Sequence, residues 1–380
     1  MLVLNEPFLS DLEQKYVLDV LESSWLSANG KHTKIFEAKF AAYIGLKHSL
    51  AVQSGTAALH VVLKAIGVAQ GDAVVLPNFS CGSTISSVVQ CGGVPVVLDV
   101  EAETYGLDAS RLESAIKKFR PKVVQFVHVY GFPARDALLI QDLCKTYRVC
   151  LVEDASEAFG ATLDNRMIGQ FGDVSVFSIR SEKMIGVGEG GVIATNNTAL
   201  YERIACLASR SAPFRSGGSP YWAKYFYDGE GYNYLLPHLL GAVARAQIER
   251  FEAEILPAKQ QVGTLYRQAL ASVAGVSLQK IAPGARPAYW LNSVRFDDLE
   301  KNEVRELGDF LMTQGIEVRS GFWPLCDMSA FRAETFGPQD IGYQLFHRLL
   351  VLPSSYRLRK EDIAAIRDVV LGFLERRRGN

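Results

Sequence analysis

LAVQSGTAALHVVLKAIGVAQGDAVVLPNFS, residues 50–80, sets two short apolar runs, LAVQS (50–54) and AVVLPN (73–78), around a helical stretch at 56–66. The pattern repeats downstream. PVVLDV (95–100), KVVQFVHV (122–129) and VCLVED (149–154) read as further strands, with helical stretches at 83–91, 109–119 and 136–147. Continuously apolar, β-branched strands separated by helices indicate an α/β fold with a mostly parallel sheet covered on both faces. DVSVFSI (173–179) and GVIATN (191–196) follow with no long helix between them. Upstream, 11–23 and 33–43 have helical periodicity. Residues 210–232 are rich in Gly, Ser, Tyr and Pro and read as a long loop. A helix of about five turns is expected at 236–255. Beyond it SVRF, GIEVRS and LLVLPSS read as strands, and 301–314 and 360–376 as helices. The expected division is a large domain at 1–255 and a smaller C-terminal α+β domain at 256–380.

The bulk properties exclude several classes of function. With 48% hydrophobic and 21% charged residues in 380, the chain can build a large core. A net charge of −1 gives no basic surplus for nucleic acid or an anionic membrane. The six cysteines, at 81, 91, 144, 150, 206 and 326, form no CxxC pair and no zinc-finger spacing with His. They suit buried thiols in a reducing compartment. No basic stretch leads into an apolar run at the start, and no apolar run reaches the ~20 residues of a membrane span. The expectation is a cytoplasmic protein without a metal.

Open parallel sheets bind ligands at the carboxyl ends of their strands. After the first strand come Ser54, Gly55 and Thr56, opening a helix. Free N–H groups and the helix dipole suit a phosphate there, although N-capping alone explains such residues equally simply. VCLVED ends in Glu153 and Asp154, a carboxylate placed for a ribose, a metal, a protonated ring nitrogen or a structural cap. In FSIRSEKMIG (177–186), Lys183 stands between a strand and a glycine-rich stretch. A desolvated lysine becomes nucleophilic, whereas a lone loop lysine is ordinarily solvated. Gly186–Gly191 formally matches G-x-G-x-x-G, but it leads into a strand and reads as a close-approach turn, not a dinucleotide site. His128 and Tyr130 also end a strand, and a lone histidine there is ordinarily packed or locally hydrogen-bonded. One ligand accounts for phosphate amides at 54–56, a ring-nitrogen carboxylate at 154 and an amine at 183. Pyridoxal phosphate needs all three.

These stretches make the chain resemble the sugar aminotransferases of the DegT/DnrJ/EryC1/StrS family, with the fold of aspartate aminotransferase. The resemblance spans nearly the whole chain. It is carried by SSWLSANGKHTKIFEAKFAAYIGLKHSLAVQSGTAALH, VVLPNFSCGSTISSVVQCGGVPVVLDV, FVHVYGFPARD, LVEDASEAFGATLDNRMIGQFGDVSVFSIRSEKMIGVGEGGVIATNN and GYNYLLPHLLGAVARAQIERFE. It implies that Lys183 is the Schiff-base lysine of pyridoxal 5'-phosphate and Asp154 the partner of the ring nitrogen. It places Gly55, Thr56 and Ser178 at the phosphate. It matches Asn233, in GYNY, to an asparagine that reaches the phosphate held by a second subunit, which implies a homodimer with shared active sites. Cys81 stands where an aromatic often stacks on the ring, and Glu157 where Gln or His is frequent. Leu235 replaces a usual basic residue, and Arg180 and Glu182 replace uncharged ones.

The implied reaction takes an amino group from a donor, usually glutamate in this family, and delivers it to a keto sugar. To move the proton, the freed lysine must be neutral. PAYWLNSV (287–294) and GIEVRSGFWPL (315–325) are most similar to the GDP-perosamine synthase branch, which implies a nucleotide-linked 4-keto-6-deoxyhexose. Sugar and nucleotide contacts are expected at 210–230 and 320–326. A 3-keto sugar or another carbohydrate carbonyl remains open. Relatives that dehydrate their sugar carry His in place of Lys183. A cofactor-binding sensor or structural paralogue and a nicotinamide oxidoreductase are the readings outside this class.

Overall fold

Five runs rich in Val, Ile and Leu become the first strands of one sheet: β1 (His48–Val52), β2 (Ala73–Pro77), β3 (Val94–Leu98), β4 (Val123–Val127) and β5 (Cys150–Asp154). β6 (Val174–Ser178) and β7 (Gly191–Thr195) complete its centre. The computed structural model describes residues 1–211, 226–227 and 229–378. The sheet order is β1-β7-β6-β5-β4-β2-β3, with Glu334–Phe336 as an eighth strand beside β3. β7 runs against both of its neighbours, and every other pairing is parallel. The carboxyl ends of β1, β6, β5, β4 and β2 therefore share one edge, as ligand binding in this architecture requires.

Helices cover both faces. α1 (Asp11–Ser23) and α2 (Lys31–Ile44) pack with the helix His238–Arg250, while α3 (Gly55–Ile66) and α4 (Gly82–Gln90) lie together on the opposite side. α1 begins with a capping box, Ser10 and Glu13 satisfying each other's backbone N–H groups. α3 begins at Ser54, whose hydroxyl accepts the N–H of Ala57 at 3.0 Å.

An aromatic cluster anchors β6 from below. Phe40 stacks on Phe159 at 4.7 Å and meets Phe177 edge-on at 5.0 Å. Phe159 in turn lies 4.5 Å from Phe251. Phe177 immediately precedes Ser178, so this packing fixes the strand end that leads to Lys183. Phe40→Ala removes a fully buried ring and should lower unfolding free energy by about 3–5 kcal/mol, read from urea denaturation.

The helix expected at 236–255 does not end there. His238–Arg250 passes through a π-helical turn, Phe251–Ile255, into a further helix, Leu256–Leu270. Pro257 falls in the first turn of that further helix, where its missing N–H costs little. The chain then forms a four-stranded antiparallel sheet in the order Val276–Leu278, Asn292–Phe296, Leu349–Leu352, Arg319–Ser320. Val262, Phe296, Leu307, Leu350 and Ile366 belong to its apolar core. Of GIEVRS only Arg319–Ser320 pairs in this sheet, while Ile316 bridges to Leu2 instead. No helix among the described residues is long and apolar enough to cross a membrane.

Candidate active site

A cavity of about 460 Å³ opens at the shared carboxyl edge. Ser54, Gly55, Thr56, Cys81, Asp154, Glu157, Ser178 and Lys183 all line it. Residues spread over 130 positions thus converge because β1, β2, β5 and β6 end at one level. Asn233 is not among the lining residues. It is exposed, and its carbonyl accepts from Gln53 Nε2 at 2.6 Å beside β1. Leu235, two residues on, is buried and bridges to Val52.

The floor is built from two helix starts. First-turn N–H groups have no partner inside a helix. Gly55 and Thr56 put theirs at the cavity wall, and Thr56 Oγ1 donates to Ser83 Oγ at 2.8 Å in the first turn of α4. Gly55 sits at close quarters: a Cβ there would lie 3.3 Å from Ser178 Cβ and 3.6 Å from Ser156 Oγ, so Ser178 would have to give slightly. Gly191 is required, since its Cβ would meet the Ser54 carbonyl oxygen at 2.5 Å. The glycine run 186–191 is therefore a turn pressed against the floor and leading into β7. Cys81, exposed to the cavity, caps α4 without a side-chain bond to its backbone and lies 3.6 Å from Ser83 Oγ.

The two acids at the end of β5 separate by strand alternation. Glu153 turns away from the cavity. Its carboxylate accepts the N–H groups of Gly169, Phe171 and Gly172 at 2.6–2.9 Å. His128 accepts from the N–H of Ala134 through Nδ1, which leaves Nε2 to donate to Glu153 at 3.0 Å. His128 is thus a packing residue. Asp154 faces the cavity and is 4% exposed. Burial pushes its carboxyl above the ordinary range, while bonds from Ser156 and the charge of Lys183 pull it back. A buried carboxylate in this state is stabilised by a further cation, as a protonated ring nitrogen would be.

Lys183 Nζ lies 3.4 Å from Glu157 Oε1. Glu157 is also buried, and burial pushes its carboxyl up, opposed by Lys183 and by the N–H of Tyr130, which it accepts at 2.8 Å. Tyr130 has φ 57° and ψ 17°, a left-handed conformation rare for a bulky residue. Its bond to Glu157 and its stacking on Phe322 at 5.1 Å hold it there. The carboxylate at 157 is therefore engaged by Lys183 and a backbone N–H on the cavity wall. The donor set, comprising an amine, a buried carboxylate and a glycine-serine floor at a helix start, fits pyridoxal phosphate at its aldehyde, ring nitrogen and phosphate.

The other wall comes from the C-terminal part: Trp290, Leu291, Arg319, Ser320, Phe322 and Val351. At the mouth, Arg180 pairs with Glu189 at 3.2 Å and Glu182 at 3.4 Å, and Arg319 pairs with Glu182 at 3.2 Å. Trp290 and Arg319 are absent from the sequence-derived set. Their segments carry a family signal, but no local spacing ties either to Lys183. A buried lysine, Lys259, lies outside the cavity. Burial pushes it down to about 7, and it donates to Asn5 Oδ1 at 3.1 Å and to the Ser354 carbonyl.

Known proteins agree with this arrangement. The model of the DegT/DnrJ/EryC1/StrS aminotransferase family matches residues 7–371. A Vibrio cholerae protein named GDP-perosamine synthase is 33% identical over 376 residues, covering 98% of this chain and 99% of that one. The solved structure of the aminotransferase TlmJ from Streptoalloteichus hindustanus superposes with a TM-score of 0.90 at 27% identity, covering 99% of each chain. DesV of S. venezuelae, solved in complex with a ketimine intermediate, gives 0.86 at 27% identity, covering 98% of this chain and 99% of that one. A strand order, a cavity and a near-complete match all point the same way, and the chain belongs to the DegT/DnrJ/EryC1/StrS aminotransferase family.

Proposed function

We propose that this pyridoxal-phosphate-dependent aminotransferase moves an amino group from glutamate to a nucleotide-linked 4-keto-6-deoxyhexose, with Lys183 and Asp154 as its catalytic residues. The observation that carries the reading is the convergence of the Lys183 amine, the Asp154 carboxylate and the start of α3 on one cavity. Bound there, pyridoxal phosphate supplies an electron sink for the bond changes at the donor's α-carbon. Asp154 would hold the ring nitrogen protonated. Gly55, Thr56 and Ser178 would hold the phosphate, and Cys81 would lie against the ring. Lys183 Nζ would hold the cofactor, then carry the proton away from the donor's α-carbon. Glu157, within reach of Nζ, would orient it.

The substrate class is supported by the names of relatives and by the mouth of the cavity. Arg180 and Arg319 are half-exposed, and ion pairs so placed are weak. An anionic substrate group, such as a diphosphate, can replace their carboxylate partners. Of the substrate-contacting segments expected from the sequence, Ser320 and Phe322 line the cavity. Residues 212–225 and 228 of the other segment lie outside the described residues. Asn233 lies away from its own chain's cavity, so its expected place at a phosphate requires a second copy, and we infer a homodimer with shared sites. The same reading places the protein in the cytoplasm and divides it into a large cofactor-binding domain at 1–255 and a small one at 256–380.

The test is direct. With glutamate present, the purified enzyme should convert a GDP- or dTDP-linked 4-keto-6-deoxy sugar to the amino sugar, detected by mass spectrometry. Conversion of 3-keto sugars alone would move the acceptor carbonyl. Inertness toward every keto sugar would refute the sugar assignment.

A further inference from the structure

The amine of Lys183 rests on an aromatic face. Its Nζ lies 3.3 Å from the centroid of a Trp290 ring, with Glu157 Oε1 at 3.4 Å. Trp290 is 4% exposed and precedes the strand Asn292–Phe296, more than one hundred residues beyond the lysine. Its orientation is fixed at its other edge. The indole N–H donates to the carbonyl of Glu182, the residue just before Lys183. The amide of Asn5 donates to the same carbonyl at 2.5 Å, and Asn5 is tied in turn to Lys259. Tyr130, 6.3 Å from Trp290 between ring centroids, stands beside it. One side chain thus touches both the amine and the peptide that carries it.

A lysine side chain has four rotatable bonds, and an amine that wanders loses reactive geometry. A cation over an indole face is attracted by the ring quadrupole, the more so where water is excluded. Lys183 is mostly shielded, with 12% of its side chain exposed. The face and the carboxylate together define a seat for the nitrogen.

We propose that Trp290 is a positioning residue for Lys183: its indole face seats Nζ beside Glu157, and its N–H locks the Glu182 carbonyl behind it. The proposal rests on Lys183 being the cofactor lysine. A positively charged nitrogen linked to the cofactor would lie against the same face. Loss of that face removes an attraction felt only by the charged form, so the nitrogen would lose its proton at lower pH.

Trp290→Leu keeps an apolar side chain but removes both the π face and the N–H. Trp290→Phe keeps a face and removes the N–H. Cofactor-free wild type and variants would be mixed with pyridoxal phosphate, following the growth of the visible absorbance band and the pH at which it changes. The leucine variant should take up cofactor about tenfold more slowly and change colour about one pH unit lower. The phenylalanine variant should keep a near-native pH midpoint while slowing uptake about two- to threefold through the lost hydrogen bond. A leucine variant matching wild type in both readouts overturns the proposal. If the leucine variant does not fold, phenylalanine decides: native uptake overturns the proposed clamp. Failure of the underlying reading has a different signature, since the band would then be missing from wild type or persist in Lys183→Ala.

Discussion

Lys183→Ala should lower amino transfer by at least about a thousandfold and abolish the visible band that pyridoxal phosphate gives with the wild type. Among the described residues no other lysine lines the cavity to replace it. Steady-state transfer from glutamate, together with absorbance spectra, measures both losses. The substitution also changes stability with a definite sign. Burial already raises the Glu157 carboxyl above its ordinary 4.5, Asp154 adds to the rise, and Lys183 and the Tyr130 N–H oppose it. Removing Lys183 raises it further. An acid raised in the folded state makes the folded protein bind the proton more tightly, so its contribution is fully present below the unfolded value and lost as pH rises through the folded one. Lys183→Ala should therefore lose more stability than wild type as pH rises from about 4.5 toward neutrality, visible as a falling thermal midpoint. Equal pH dependence in the two proteins would mean that Glu157 and Lys183 do not interact.

Asp154→Asn should reduce turnover by about 10- to 100-fold or more, from loss of a charge-assisted bond of roughly 1.5–3 kcal/mol to the ring nitrogen. The amide preserves shape and can still accept the Ser156 N–H, now at 3.0 Å. What it lacks is the charge that holds the ring protonated. Cofactor affinity measured by dialysis should fall as well. Glu153→Gln offers the contrast, because Glu153 serves the 169–172 turn and His128, away from the cavity. It should act on stability and leave the cofactor's spectrum alone. An Asp154→Asn enzyme with native turnover would remove the proposed role.

The sheet is legible in the sequence because strands buried on both faces are continuously apolar, as at 73–78 and 95–100. Glu334–Phe336 is not, since an edge strand of three residues needs no such pattern. The helical run continues to Leu270, beyond the expected end at 255, through a π-helical turn that no local pattern marks, with Pro257 in the first turn of its last helix. At the site, Asp154, Ser178 and the start of α3 stand at strand ends, where topology predicts function. Lys183 is legible through its motif. Trp290, Asn5 and Arg319 reach Glu182–Lys183 only by tertiary packing, and a single sequence carries no local mark of that. Glu157 is visible as a departure from the family, but its pairing with Lys183 and with a strained Tyr130 is a fact of three dimensions.

Lys183 is proposed to hold the cofactor, and the fold supplies a rival lysine. Lys259 is buried, and burial pushes its amine down to about 7, toward the neutral form. Reducing the pyridoxal-phosphate-loaded protein with borohydride makes the link permanent, and peptide mass spectrometry then locates it. A single modified peptide containing Lys183 is expected, lost from protein first treated with glutamate. A tag on Lys259, or no tag at all, would contradict that assignment.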